Sequence, residues 1–208
     1  FQRRLMQTAF KKSSMDGYVE HINAICAETL HPRLGTGEFQ LYGQARSTLM
    51  EIAAQTFTGV IGQGREGAKL KAAFENFIDG FDFIFEVNLP GFSYRRSLQA
   101  KKYIAAFIRD LIANKRQGID TDILAHFCRE RDEAGNYFSD YDIVENFVVL
   151  LFAAQDTTTA SLVNACYELG RHPQWQQRMR EEALALGKDS IGQDDLGALP
   201  SFEMVFNE

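Results

Sequence analysis

In this chain of 208 residues, one short run combines residue types that could do chemistry: Ala153-Ala154-Gln155-Asp156-Thr157-Thr158-Thr159. An acid followed by three threonines is a poor choice for the middle of a buried helix, because Asp and Thr have weak helix propensity. A buried carboxylate must find partners or shift its pKa. A Thr hydroxyl can bond the carbonyl four residues back, here Ala153 for Thr157, and so loosen or bend the helix. Two small residues one turn earlier leave space beside it. Together these groups could form a groove for a small ligand with a route for protons. A Thr-rich kink packed on a neighbouring helix fits the same composition equally well. Breaks in local rules are expected at functional sites.

The element that must carry this run is long. Apolar periodicity predicts a helix over 139–170, and about 30 residues at 1.5 Å each give about 45 Å. Its first half, Phe147 to Ala154, is apolar all round, which predicts burial on every side in the middle of the domain. Further helices are expected at 1–12, 16–30, 38–60, 67–84, 93–116, 121–131, 173–186 and 201–208. Loops are marked by Leu34 to Gly37, Gly62 to Gly67, Asn88 to Gly91 and Asp132 to Asp142. Strand-like alternation is nearly absent, so the fold class is all-α. In 93–116, Tyr94, Leu98, Tyr103, Ile104, Phe107, Ile108, Leu111 and Ile112 form the apolar stripe. Lys115 falls among the charged residues beside or opposite it.

Composition narrows the classes. Lys plus Arg total 22 and Asp plus Glu 28, for a formal charge of −6, and 45 % of residues are hydrophobic. That is ordinary globular usage and excludes a disordered, collagen-like or disulfide-stapled chain. A mildly acidic chain argues against nucleic acid as the main partner, since its dense basic clusters, Arg3-Arg4 with Lys11-Lys12 and Arg95-Arg96 with Lys101-Lys102, are short and sit beside apolar residues. Cys26, Cys128 and Cys166 have no disulfide or zinc spacing and read as small core residues. His21, His31, His126 and His172 show no paired helical spacing, so no metal site is expected from them. Both ends lie within amphipathic patterns, which reads as a piece of a longer protein.

Four ordered motifs resemble cytochrome P450 haem-thiolate monooxygenases. Ala153-Ala154-Gln155-Asp156-Thr157-Thr158 is similar to the family's Ala-Gly-x-Asp/Glu-Thr-Thr/Ser run, with Ala154 in place of the usual Gly. Arg3-Arg4-Leu5-Met6-Gln7-Thr8-Ala9-Phe10 resembles the helix following Trp-x-x-x-Arg. His172-Pro173 with Glu181-Glu182 resembles the helix after the central one. Leu199-Pro200 through Glu208 resembles the approach to Glu-x-x-Arg, with Glu208 as its Glu.

The resemblance implies the central portion of the P450 fold. Residues 1–208 would be part of one larger catalytic domain, without its N-terminal part and its C-terminal haem-thiolate loop. It implies haem and O2 as cofactor and co-substrate, with electrons from NAD(P)H through a redox partner. Asp156 and Thr157 would be catalytic, delivering protons. Arg3 would bind a haem propionate, and Ala153 and Ala154 would line the haem's oxygen-binding face. The substrate would be a small apolar molecule, in keeping with Phe74, Phe77, Phe81, Phe83, Ile84 and Phe85. A cytoplasmic location is expected, with an endoplasmic reticulum anchor upstream as the alternative. Without the Cys ligand the chain alone is expected to be inactive. The competing reading is a non-catalytic all-α ligand-binding or dimerisation module, in which Asp156 and Thr157 affect only stability or affinity.

Overall fold

The helical periods of the sequence become helices in the computed structural model, which describes residues 12–33, 35, 37–59, 64–80 and 87–207. These are α1 (Lys12–Leu30), α2 (Leu41–Thr58), α3 (Gly64–Asp79), α4 (Ser93–Gln117), α5 (Ile123–Arg129), α6 (Asp140–Arg171), α7 (Pro173–Ala185) and α8 (Pro200–Asn207). Short 3-10 turns at His31–Arg33 and Gln193–Ala198 were not expected from the sequence. Among the described residues, the β geometry is a single isolated bridge between Arg131 and Tyr137. The expected helix at 1–12 lies almost wholly outside the described residues.

Contacts divide the chain into two compact units. The first takes in Ala53–Ala154. In it α4 buries Ser97, Ala100, Ile104, Ile108, Ile112 and Lys115, a run of three- and four-residue steps that places one face inward. The expected stripe is therefore corrected at two positions: Tyr103 is exposed and Lys115 is buried. Lys115 can be buried because its ammonium is paired with Asp122, on the first turn's edge of α5. Asp122 also N-caps α5, accepting a hydrogen bond from the Ala125 N–H at 2.9 Å. Gly59 abuts this pair with a φ of +66°, where an added Cβ would sit 2.8 Å from Asp122 Oδ2. Arg129 closes the α4–α5 connection by donating to the carbonyls of Ala125, Gly118 and Asp120.

Where α3 ends against α4, Ser97 donates to the Phe77 carbonyl at 2.9 Å. A Cβ on Gly80 would fall 2.0 Å from Ser97 Cβ, so this crossing requires glycine. The α6 start is set by Ser139, whose Oγ accepts from the Asp142 N–H at 3.1 Å. Asp140 and Asp142 in the first turn suit the positive end of the helix dipole.

The second unit contains Met15–Ile52 and Gln155–Glu208. Here Asn23 donates to the Ile191 carbonyl at 2.7 Å. Thr48, 5 % exposed, reaches Thr29 Oγ1 at 3.2 Å. Pro173 sits in the first turn of α7, where its missing N–H costs nothing. Glu182 on α7 accepts from both the backbone N–H and the hydroxyl of the fully buried Ser201, fixing the start of α8.

Candidate active site

The candidate residues lie along α6. This helix continues through the Asp-Thr-Thr-Thr run without a break, from Asp140 to Arg171. The weak propensity of this run does not break the helix, because packing holds a helix through such residues. Thr159, fully buried, supplies such packing.

Burial on every side is also overturned. Ile143, Phe147 and Leu151 are 0–4 % exposed, but Val149 is 58 % exposed and Ala153 is exposed as well. Val144, Asn146, Val148 and Leu150 are buried as well, so most of this half of α6 packs inward and only a narrow stripe, Val149 and Ala153, is uncovered. A run of eight apolar residues has no period and concealed this asymmetry. Val149, Ala153, Thr157 and Ser161 follow at four-residue steps along the helix, and all four are exposed. Four-residue steps keep side chains on one stripe. Ala154 and Asp156 are half-buried at its margins, and Thr158 is exposed.

The helix therefore brings Ala153 and Thr157 onto one stripe with Asp156 next in sequence. It presents an apolar, small-residue surface (Val149, Ala153) that continues into a hydroxyl (Thr157). By length and composition α6 could also cross a membrane. Its first half buries Ile143, Phe147 and Leu151 and pairs Glu145 with Lys101 at 3.0 Å.

Arg3 and Glu208 lie outside the described residues, as do Phe81, Phe83, Ile84 and Phe85. Phe74 and Phe77 are buried on α3. Phe77 meets Phe152 edge to face, ring centroids 6.3 Å apart, so an aromatic wall stands next in sequence to Ala153. The cysteines divide: Cys128 is fully buried, whereas Cys26 and Cys166 are only half-buried. Burial pushes the Cys128 thiol up to about 12 and raises the other two as well. Of the histidines, His126 is half-buried and His21, His31 and His172 are exposed.

Sequence reasoning missed the Lys115–Asp122 pair, the Glu182–Ser201 cap and the Phe77–Phe152 contact. For Lys115 a signal existed, since it continues the buried steps from Ile104, Ile108 and Ile112. The other two join residues far apart in sequence and left no local trace.

A cytochrome P450 family model matches residues 1–208, the whole chain. The chain belongs to the cytochrome P450 family. The putative cytochrome P450 136 of Mycobacterium tuberculosis is 30 % identical over 212 residues, covering 100 % of this chain and 43 % of that protein. Abscisic acid 8'-hydroxylase 2 of Oryza sativa subsp. indica is 28 % identical over 191 residues, covering 88 % of this chain and 37 % of the relative. The retinoic acid-bound cyanobacterial CYP120A1 superposes with a TM-score of 0.82 at 24 % identity, over 98 % of this chain and 46 % of that one. At that identity the structural match speaks for the fold: an all-α region of the P450 fold. The chain thus spans less than half the length of these relatives.

The P450 family implies a haem, and the described residues can be tested against it. The uncovered stripe of α6 fits one wall of a haem site, because Val149 and Ala153 offer a low apolar surface to a flat macrocycle. Of the thiols, Cys128 is fully buried and has no open side that a macrocycle could reach.

Proposed function

We propose that the protein carrying this chain is a haem-dependent monooxygenase that inserts one oxygen atom of O2 into a small apolar substrate. Residues 1–208 form part of its single catalytic domain, and the Cys ligand comes from sequence beyond them. This chain alone is inactive on that account. The observation that supports the reading best is the uncovered face of α6, where Ala153 and Thr157 share one stripe beside Asp156.

When bound, haem with a Cys thiolate ligand supplies dioxygen binding and O–O cleavage. Ala153, and Ala154 at the margin, keep the helix surface low, so that substrate can approach closely and bulk water is excluded. Thr157 holds a proton at Oγ1 for delivery into the groove. Asp156, half-buried, exchanges a proton with solvent and passes it on, a relay that needs only hydrogen-bond reach through water. Arg3 pairs with a haem propionate, which suits a planar guanidinium. Glu208 begins the Glu-x-x-Arg structural motif. Electrons come from NAD(P)H through a redox protein, and the protein works in the cytoplasm.

The test is Thr157→Val against Thr157→Ser in the full-length protein. Positioned acid–base groups contribute about 10²–10⁴-fold. Valine should lower product formed per O2 consumed by at least about tenfold, releasing peroxide instead. Serine should retain most of the coupling. Equal coupling in both variants, or a purified parent that takes up no haem, would overturn the proposal.

A further inference from the structure

We infer that Phe127, Phe57 and Phe77 are positioning residues that fix the rotation of α6 about its own axis, and with it the direction in which Ala153 faces. This rests on the haem-site reading above.

Phe147 is fully buried and takes two edge-to-face contacts. Phe57 of α2 lies 6.2 Å away at 75° and Phe127 of α5 lies 6.1 Å away at 88°. Five residues on, Phe152 takes the third, from Phe77 of α3 at 6.3 Å and 74°. All of these residues belong to the first unit. Edge-to-face pairs have a directional preference beyond their area, because the ring edge and face carry opposite partial charge. A single such contact would locate the helix without fixing its rotation.

Here there are two points of contact. At 3.6 residues per turn, Phe147 and Phe152 are separated by about 140° around the axis and about 7.5 Å along it. The direction opposite their bisector lies about 250° round from Phe147, and Ala153 falls at about 240°. Ala153 therefore faces away from both clamps together, and Val149, 58 % exposed, lies on the same side. Replacing one ring by an aliphatic side chain removes the directional contact while keeping the burial apolar. A turn of about 25° then carries the Ala153 Cα about 1 Å on its 2.3 Å radius. Displacements of that size near a reacting centre cost about 10²-fold.

The test uses the full-length haem-loaded protein and imidazole as probe, with the dissociation constant read from the change in the haem absorption band. Phe127→Leu touches no residue assigned to the site. Phe77→Leu perturbs the other clamp, so the inference stays testable if one variant does not fold. Ile25→Ala, in the second unit, serves as a control whose melting temperature is lowered without touching either clamp. The expected result is a shift of about tenfold in the imidazole constant for the Phe variants, below the full cost of a 1 Å misplacement. The control should stay within about twofold of wild type, a margin well inside that shift. If the Phe variants match the control, the inference is overturned and the haem-site reading stands. If the wild-type protein holds no haem that imidazole can perturb, both are overturned.

Discussion

Lys115→Met should be among the most destabilising single substitutions in the first unit. The Lys115 side chain is 9 % exposed, and that of Asp122, its closest partner, is 7 % exposed. Removing the cation leaves the Asp122 carboxylate its hydrogen bond from the Ala125 N–H at 2.9 Å in a nearly dry site. Breaking a buried pair in this way costs about 3–5 kcal/mol, mostly as the penalty of the stranded charge. The second anion near Lys115 is Asp120 at 3.3 Å, which is 52 % exposed and contributes less than about 1 kcal/mol. The informative comparison is Lys115→Met with Asp122→Asn. Asparagine keeps the N-cap of α5 and carries no charge, so the double variant should lie within about 1 kcal/mol of wild type. Urea unfolding of the full-length protein, followed by far-UV circular dichroism, measures all three. A single variant that costs under about 1 kcal/mol would refute the argument that burial governs this pair. So would a double variant no more stable than the single one.

Three further outcomes follow from the same geometry. Gly59→Ala should cost at least about 2 kcal/mol: a left-handed backbone alone costs an L-residue about 1–2 kcal/mol, and the new Cβ would press on Asp122 and Lys115. The same urea titration checks it. The native Cys128 thiol, held near 12 by burial, should resist a maleimide at pH 8 for as long as the fold persists. The folded state keeps this proton when the unfolded state, near 9.0, loses it, so stability should fall as pH rises from about 9 toward 12. Cys128→Ala should flatten that slope in melting-temperature scans. Asp132 is held below its usual range, first by the Asn136 backbone N–H at 2.8 Å, and the Ala134 N–H adds to this at 2.9 Å. Its contribution is present above the unfolded value of 3.8 and lost as pH falls below it, so Asp132→Asn should flatten the acid limb of the stability profile.

What could be read from the sequence depended on whether the information was local. Helix periods are local, and α4, α6 and α7 fall within a few residues of where their patterns placed them. The α3 boundaries slipped, from an expected 67–84 to Gly64–Asp79, because glycine at 64 and 67 argued for a loop that the neighbouring α4 overrides. The candidate site was legible because it violates local rules: an acid and three threonines in an apolar helix stand out without any knowledge of their surroundings. Lys115 was misread for the converse reason. Its position followed the buried period of α4 while its residue type argued for the surface, and the charge that resolves the conflict lies in the next helix. The orientation of α6 was hidden altogether, since eight consecutive apolar residues carry no phase. Contacts with Phe57, Phe127 and Phe77, lying 20 to 90 positions before their partners in the chain, accompany the face that turns inward. The residues proposed to do chemistry are thus written into one short segment. The direction in which that segment points is written elsewhere, in aromatic side chains that look from sequence like ordinary core.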